Sequence, residues 1–341
     1  MEEDMNTRIA TVNISINNQN ISRDIAPFLT GFSYTDNLSG EADSAEIQLQ
    51  DRDGRFRGPW FPTRGDTAVV SIARANWNAG AGVETLPIGT FEIDEIVNSY
   101  PPNKAVIKLI SIPNNAKIRS VKHSHPWEDV KLSEIAGDIA AEAGMELFYD
   151  TEEDPKIKRA EQTEQSALEF LQKQCGDAGL ALKVADNKII IFDEEKYENQ
   201  KSVLTFRYGA SPIESFKGAA SIYEIYAACH VKYKHGQKNE LIEYTFQAPD
   251  KKDGMTLEVN KSVESVEEAE KLAKKSLREK NREEVKVSLS TVGSFLLVAG
   301  NVITLEGHGF YDGNYLITRA AHKLGGGYTT DIEARRCLNG Y

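Results

Sequence analysis

His123-Ser124-His125, with Glu128 and Asp129 close behind, comes nearer to a metal site than any other stretch of this 341-residue sequence. A His-x-His pair on a strand points both rings the same way, as zinc ligation requires. No third ligand stands at a recognisable spacing and Pro126 works against a local strand, so a solvated loop is the expectation. Asp51-Arg52-Asp53-Gly54 opens like a calcium loop, but Phe56 and Pro62 occupy the positions where that loop needs a glycine and a bidentate glutamate. It reads as a turn. The sequence contains no Gly-x-Ser-x-Gly elbow, phosphate loop or dinucleotide fingerprint, and Gly325-Gly326-Gly327 reads as a flexible hairpin between strands. Carboxylates are too numerous for one pair to stand out as a glycosidase dyad. Trp60, Trp77 and Trp127 suit core or interface anchors as well as sugar platforms. No residue is assigned a catalytic, cofactor-binding or metal-binding role.

Cys175, Cys229 and Cys337 are odd in number and far apart, which is neither a disulfide framework nor a zinc pattern, so reduced thiols are expected. The formal net charge of −12 argues against a general nucleic-acid binder, which needs a basic surface, and is otherwise accounted for by solubility. No stretch approaches the eighteen apolar residues of a membrane span. The acidic start, Met-Glu-Glu-Asp-Met, lacks the positive charge and apolar run of a secretory signal, so the cytoplasm is the expected place of synthesis.

The length calls for two or three domains. Residues 1–115 read as short strands: Val12, Ile14 and Ile16 alternate with polar residues, as do Ile47 and Leu49, and Phe91, Ile93 and Ile96 follow Gly89. Asn17-Asn18-Gln19-Asn20, Asp53-Gly54, Gly65-Asp66 and Pro101-Pro102-Asn103 punctuate them, suggesting a small antiparallel sandwich or barrel. Residues 116–195 read as an α/β unit. One helix runs from an Asp129 N-cap to Gly144, with Leu132, Ile135, Ala136, Ile139, Ala140 and Ala143 on one face. A second starts near Thr163 and ends at Gly179, and a hairpin turns at Asp186-Asn187. Residues 196–341 return to strands, interrupted by a helix over 264–282 that opens with a Ser265/Glu268 capping box and carries Glu267–Lys271 and Glu270–Lys274 pairs. The fold class is therefore α+β, mainly β.

The two ends of the chain echo each other. Gly65-Asp66-Thr67-Ala68-Val69 precedes Gly89-Thr90-Phe91-Glu92-Ile93, and Gly300-Asn301-Val302-Ile303-Thr304 precedes Gly313-Asn314-Tyr315-Leu316-Ile317. Both read turn, strand, turn, aromatic strand. Either a duplicated β domain or the ordinary recurrence of glycine turns in β proteins produces this pattern.

Several short elements, in order, resemble the late control protein D family, the central baseplate hub proteins of contractile phage tails and related particles. They are Ala42-Asp43-Ser44, Leu49-Gln50-Asp51-Arg52-Asp53-Gly54, Trp60 with Pro62, Gly65-Asp66 and Gly89-Thr90-Phe91-Glu92-Ile93-Asp94. Then come Ile118-Arg119-Ser120, Trp127, Gln162 with Ser166, Phe170 and Leu171, and finally Ala299-Gly300, Gly313-Asn314-Tyr315 and His322. The resemblance implies a homotrimeric ring in which each chain supplies two tail-tube-like β-barrel domains, 1–115 and 196–341, flanking the α/β domain. Three chains would then match a six-fold tail tube above and carry a three-fold central spike below, among other baseplate proteins, with the tape measure protein in the lumen. The chain ends at Tyr341 without a repetitive β-spike extension, so a separate spike protein is expected. An acidic lumen would keep passing DNA from sticking. The expected location is the host bacterial cytoplasm during assembly and then the virion or a released contractile particle. A tail-associated cell-wall hydrolase or glycan-binding protein is the alternative, and a cleft of converging polar groups would favour it.

Overall fold

The computed structural model describes residues 7–63, 65–77, 82–112, 118–119, 121–221, 223, 225–235, 240–338 and 340–341, with the backbone only at 123, 234, 235 and 240. Residues 1–5, Ser120 and the His123 side chain, all used in the sequence reading, lie outside the described residues.

The first hundred residues form β1 (Ile9–Ile16), β2 (Gln19–Asn20), the short helix α1 (Ser22–Ile25), β3 (Leu29–Asn37), β4 (Ser44–Gln50), β5 (Thr67–Ala75), β6 (Glu84–Ser99) and β7 (Lys104–Ile110). Alternation sets their inner faces. Ile14, Phe32, Ile47, Leu49, Val70, Ile72, Phe91, Ile107 and Leu109 meet in one core, so six strands curl around a shared interior. The β1–β2 turn works because Asn17 and Asn18 take φ of 49° and 66°, a region Asn tolerates better than other side chains.

Next come β8 (Lys122–Lys131), α2 (Leu132–Ala143), β9 (Glu146–Asp150), β10 (Lys156–Ser166), α3 (Ala167–Ala178), β11 (Ala181–Ala185), β12 (Lys188–Phe192) and α4 (Glu194–Glu198). α2 buries Leu132, Ile135, Ala136, Ile139 and Ala140, the face its spacing predicts, and stops at Gly144 with φ 66°. Its start differs from expectation. Asp129 lies inside β8 with φ 61°, and Lys131 is the N-cap. The second helix also starts later than Thr163, which belongs to β10, because Ser166 makes the capping box with Glu169. His123–His125 are strand and not loop: β8 pairs antiparallel with β10, and Pro126 stands opposite Glu161 in a two-stranded ladder that loses little to a missing N–H.

The last part comprises β13 (Leu204–Arg207), β14 (Ile213–Ala220), β15 (Tyr226–His235), β16 (Glu240–Gln247), β17 (Met255–Val259), α5 (Val266–Asn281), β18 (Val285–Val292), β19 (Val302–Glu306), β20 (Gly313–Leu324) and β21 (Tyr328–Arg336). α5 is capped by Ser265, whose hydroxyl accepts from Glu268 N–H, and lays Ala269, Ala273 and Leu277 on Cys229, Val231 and Ile242 of the β16-β15-β17 sheet.

The described chain forms two compact units, one of Met1–Asp193, Ser290–Ala299 and Arg319–Asp331, the other of Glu194–Leu289, Gly300–Thr318 and Ile332–Tyr341. β18, β20 and β21 each contribute residues to both.

Strand order carries a repeat. One series runs β3-β4-β7-β6-β5-β1 and the other β14-β18-β21-β20-β19-β13. Ranked by position in the chain, both read second, third, sixth, fifth, fourth, first. Register repeats as well: Ala68 faces Phe91 and Val70 faces Gly89, while Ile303 faces Tyr315 and Leu305 faces Gly313. Ile93 N–H donates to Asp66 O at 3.1 Å, and Ile317 N–H donates to Asn301 O at 2.9 Å. The glycines that open the two hairpins, Gly65 and Gly300, share φ of 89° and 90°. The series differ at one end, where β1 runs antiparallel to β5 but β13 runs parallel to β19.

Candidate functional site

The polar side chains that converge are buried and paired. In the first unit Lys183 Nζ, on the outward phase of β11, reaches Asp36 Oδ1 at 2.5 Å, Asp43 Oδ2 at 3.1 Å and the Asn37 carbonyl at 2.7 Å. Asp36 Oδ2 accepts from Ala299 N–H at 2.8 Å, and Asp43 Oδ1 from Asn37 N–H at 2.8 Å. Ser111 continues the network, accepting from Asp43 N–H and donating to Val184 O. Burial outweighs the neighbouring ammonium and raises the Asp43 carboxyl to about 6, while the two carboxylates keep Lys183 charged against its own burial. The cluster ties the β3–β4 corner to the α/β hairpin and leaves no group free to react.

Close by, His322 is fully buried, stacked on Tyr34 and Tyr328, with Nδ1 2.7 Å from the Tyr328 hydroxyl. Burial lowers it to about 4, so the ring is neutral and no general acid near neutral pH. In the second unit Arg335 pairs with Glu194 at 2.7 Å and with Glu198, and Arg278 also reaches Glu198 at 2.7 Å. Glu198 Oε2 accepts from Leu338 N–H, so this cluster fixes the chain's end against α4 and α5. Burial pushes the thiols of Cys175 and Cys337 up to about 12 and Cys229 up to about 11, too high for a thiolate nucleophile.

Among the described residues no three His, Cys, Asp or Glu side chains are placed to hold a metal. His125 packs against Trp127 at 4.3 Å, and Trp127 stacks on Phe170 at 5.1 Å and donates to Asp138 Oδ2 at 3.1 Å. Asp51 is a buried turn carboxylate: Oδ1 accepts from Phe56 N–H and Oδ2 from Arg57 Nε–H, which closes the loop over the strand ends. That loop brings Trp60 edge-on to Phe28 and Phe56 beside a cavity of about 450 Å³ lined by Ile21, Ile25, Ile47, Leu49 and Ile107. Two carboxylates sit at its wall, Asp24 and Asp66, and Asp66 already bonds Asn17 and Thr63. Its described lining contains no Ser, Thr, Cys, His or Lys.

The residues that carry the family resemblance are these same anchors: Asp43, Asp51, Trp60, Asp66, Trp127, Ser166, Ala299, Tyr315 and His322. In this chain Asp43 and Asp51 close buried turns, Ser166 caps a helix, and Trp127 and His322 stack in a core. Sequence reasoning missed Asp36, Lys183, Glu194, Glu198 and Arg335. Lys183 within Leu180-Ala181-Leu182-Lys183-Val184 is a charged residue in an apolar strand, and that was the available signal; Arg335 stands among the charged residues Asp331, Glu333 and Arg336 and gave none.

β14 ends the strand order with β18 as its one neighbour there, and β6 continues past Ile93 without a β5 partner. Large apolar side chains stand exposed near both, Val97 and Tyr100 at 38% and 77%, and Tyr208 and Tyr223 at 75% and 78%. No helix among the described residues is long and apolar enough to cross a membrane.

This architecture is that of phage tail proteins. The 43 kDa tail protein of prophage MuSo2 from Shewanella oneidensis superimposes with a TM-score of 0.72 over 96% of this chain and 99% of that one, at 13% identity. A tail protein of Neisseria meningitidis MC58 matches with a TM-score of 0.72 over 96% of each chain, at 11% identity. An E. coli component of the type VI secretion system, described as structurally similar to T4 bacteriophage tail proteins, matches at 0.54 over 92% of this chain and 75% of that one, at 13% identity. No family model matches. At the level of sequence the chain is similar to the probable baseplate hub proteins of Escherichia phages 186 and P2, at 26% and 25% identity over 178 residues. The match spans 52% of this chain and 43% of each of those relatives. The hub resemblance read from the residues is thereby borne out, and these relatives are named as baseplate hub and tail proteins.

Proposed function

We propose that the chain is a baseplate hub subunit of a contractile tail, a structural protein that assembles as a homotrimer and joins the six-fold tail tube to a three-fold central spike. The observation that carries this reading is the repeated strand order with its matched hairpin register. A chain with two similar tube-like domains, 1–115 and 196–341, supplies six similar units from three copies, and this reconciles three-fold with six-fold symmetry. The names of the curated relatives and the shared tail-protein fold support it. On this reading the partners are a second and third copy of the chain, the tail tube protein, a separate spike protein, other baseplate proteins, and the tape measure protein in the lumen. The protein resides in the host cytoplasm during assembly and then in the particle.

Light scattering decides it. A species of three chains, formed alone or with the spike protein, is the expected result; a chain that stays monomeric or dimeric in both cases overturns the reading.

A further inference from the structure

Among the described residues the repeat contains one strand pairing that is made only once. β20 follows the same course as β6: its first half pairs with β19 as β6 pairs with β5, and its neighbour on the other edge is β21, as β7 is for β6. Past Ile317 the second half of β20 continues, and on the β19 side it is met by β3, antiparallel, with Arg319 opposite Asn37 and Leu324 opposite Phe32. β3 opens its own series in the strand order.

The counterpart of that stretch is β6 after Ile93, where pairing with β5 has ended at Glu92 and pairing with β7 continues to Ser99. The counterpart of β3 is β14, which opens the other series and has β18 as its one neighbour among the described residues. Within one chain the β20–β3 pairing is made, and the equivalent β6–β14 pairing is absent among the described residues. Both unpaired edges are exposed. Asp94, Glu95, Val97, Asn98 and Ser99 of β6 face solvent, as do Ser215, Lys217, Ala219 and Ala220 of β14.

We propose that β14 of one copy adds antiparallel to the Glu95–Ser99 edge of β6 in the next copy, repeating between chains the β3–β20 pairing made inside each. The proposal rests on the trimeric hub reading and names the surface that closes the ring. The occupant is a second copy because the chain itself already shows the mating strand, its direction and the edge it uses. Strand addition satisfies backbone groups that an open edge leaves to water, and a head-to-tail contact of this kind closes into a three-chain ring when its rotation is a third of a turn. It would also cover Val97 and Tyr100, which stand exposed in the single chain.

Cysteine cross-linking of the full chain tests it, since Cys175, Cys229 and Cys337 are all buried. Val97→Cys and Lys217→Cys sit at exposed positions, and maleimide labelling of each single variant verifies access. The reaction is run under whichever condition, alone or with the spike protein, gives three-chain particles by light scattering. Mixing the two single variants with a flexible bis-maleimide should give a two-chain product containing one of each, and the double variant should give products of two and three chains. Trimers without the mixed product, or products joining like variants alone, overturn the edge pairing and leave the hub reading standing. Absence of trimers under both conditions overturns the two together.

Discussion

His322 and Asp43 titrate in opposite senses within one unit. Burial holds His322 near 4 against an ordinary 6.5, so its stabilising contribution is complete above 6.5 and drains away as the pH falls toward 4, when the unfolded chain takes up the proton first. That contribution is on the order of 3 kcal/mol. Asp43, raised to about 6, favours the fold when protonated, so its contribution is complete below the ordinary 3.8 and is lost as the pH rises through 6. Between pH 6 and 4 the two oppose each other. Denaturant titrations should therefore show stability falling more steeply on acidification in Asp43→Asn than in the parent, and less steeply in His322→Phe. Equal slopes in all three would remove both assignments. Lys183→Met leaves two buried carboxylates without their cation and should cost about 3–5 kcal/mol at pH 7.5. The cost should shrink at pH 5 as Asp43 takes up a proton.

Elements end where particular residues allow it. Gly65 and Gly300 open equivalent hairpins at φ near +90°, and around Gly65 no atom lies within 4 Å of a built Cβ, so an alanine there meets backbone strain alone. Gly65→Ala and Gly300→Ala should each destabilise by about 1–2 kcal/mol, and by similar amounts if the hairpins are true repeats. Gly293 is different: a Cβ would lie 2.2 Å from the Tyr328 ring, so Gly293→Ala must displace that ring and, with it, the His322 stack. Its thermal midpoint should fall further than that of Gly65→Ala. At α5, Ser265→Ala removes the hydroxyl that accepts from Glu268 N–H and should cost about 1 kcal/mol in thermal or chemical denaturation.

At the scale of the whole molecule, the first unit is not a contiguous piece of chain. It draws Ser290–Ala299 and Arg319–Asp331 from beyond residue 193, and these bring Ala299 to Asp36, the second half of β20 to β3, and Phe295 and Tyr328 to the core. A fragment of residues 1–193 would expose the β3 edge and take the Ala299 N–H from Asp36 and the His322 ring from Tyr34. It should melt well below the full chain and associate in size-exclusion runs. A monomeric fragment with the parent's melting temperature would show that the returning strands contribute nothing.

The sequence by itself determined what depends on near neighbours. Alternation in Val12-Asn13-Ile14 marked a strand, the Leu132–Ala143 spacing marked a helix face, Asp186-Asn187 marked a tight hairpin, and Ser265 with Glu268 marked a cap, because each is set within a few residues by backbone geometry. Helix starts were read too early at Asp129 and Thr163, since strand pairing of β8 with β10 claimed those residues first. The glycine echo hinted at a repeat. Only the tertiary structure decided that the two hairpins share a register and that two series of six strands share an order, because strand order is fixed by closures over long loops and leaves no local trace. It decided also that Asp36 and Lys183 meet across 147 residues, and that His322 is enclosed by Tyr34, Tyr328 and Thr330. Spacing along the chain reports which side chains share a face, whereas partners so far apart are chosen by packing the whole unit.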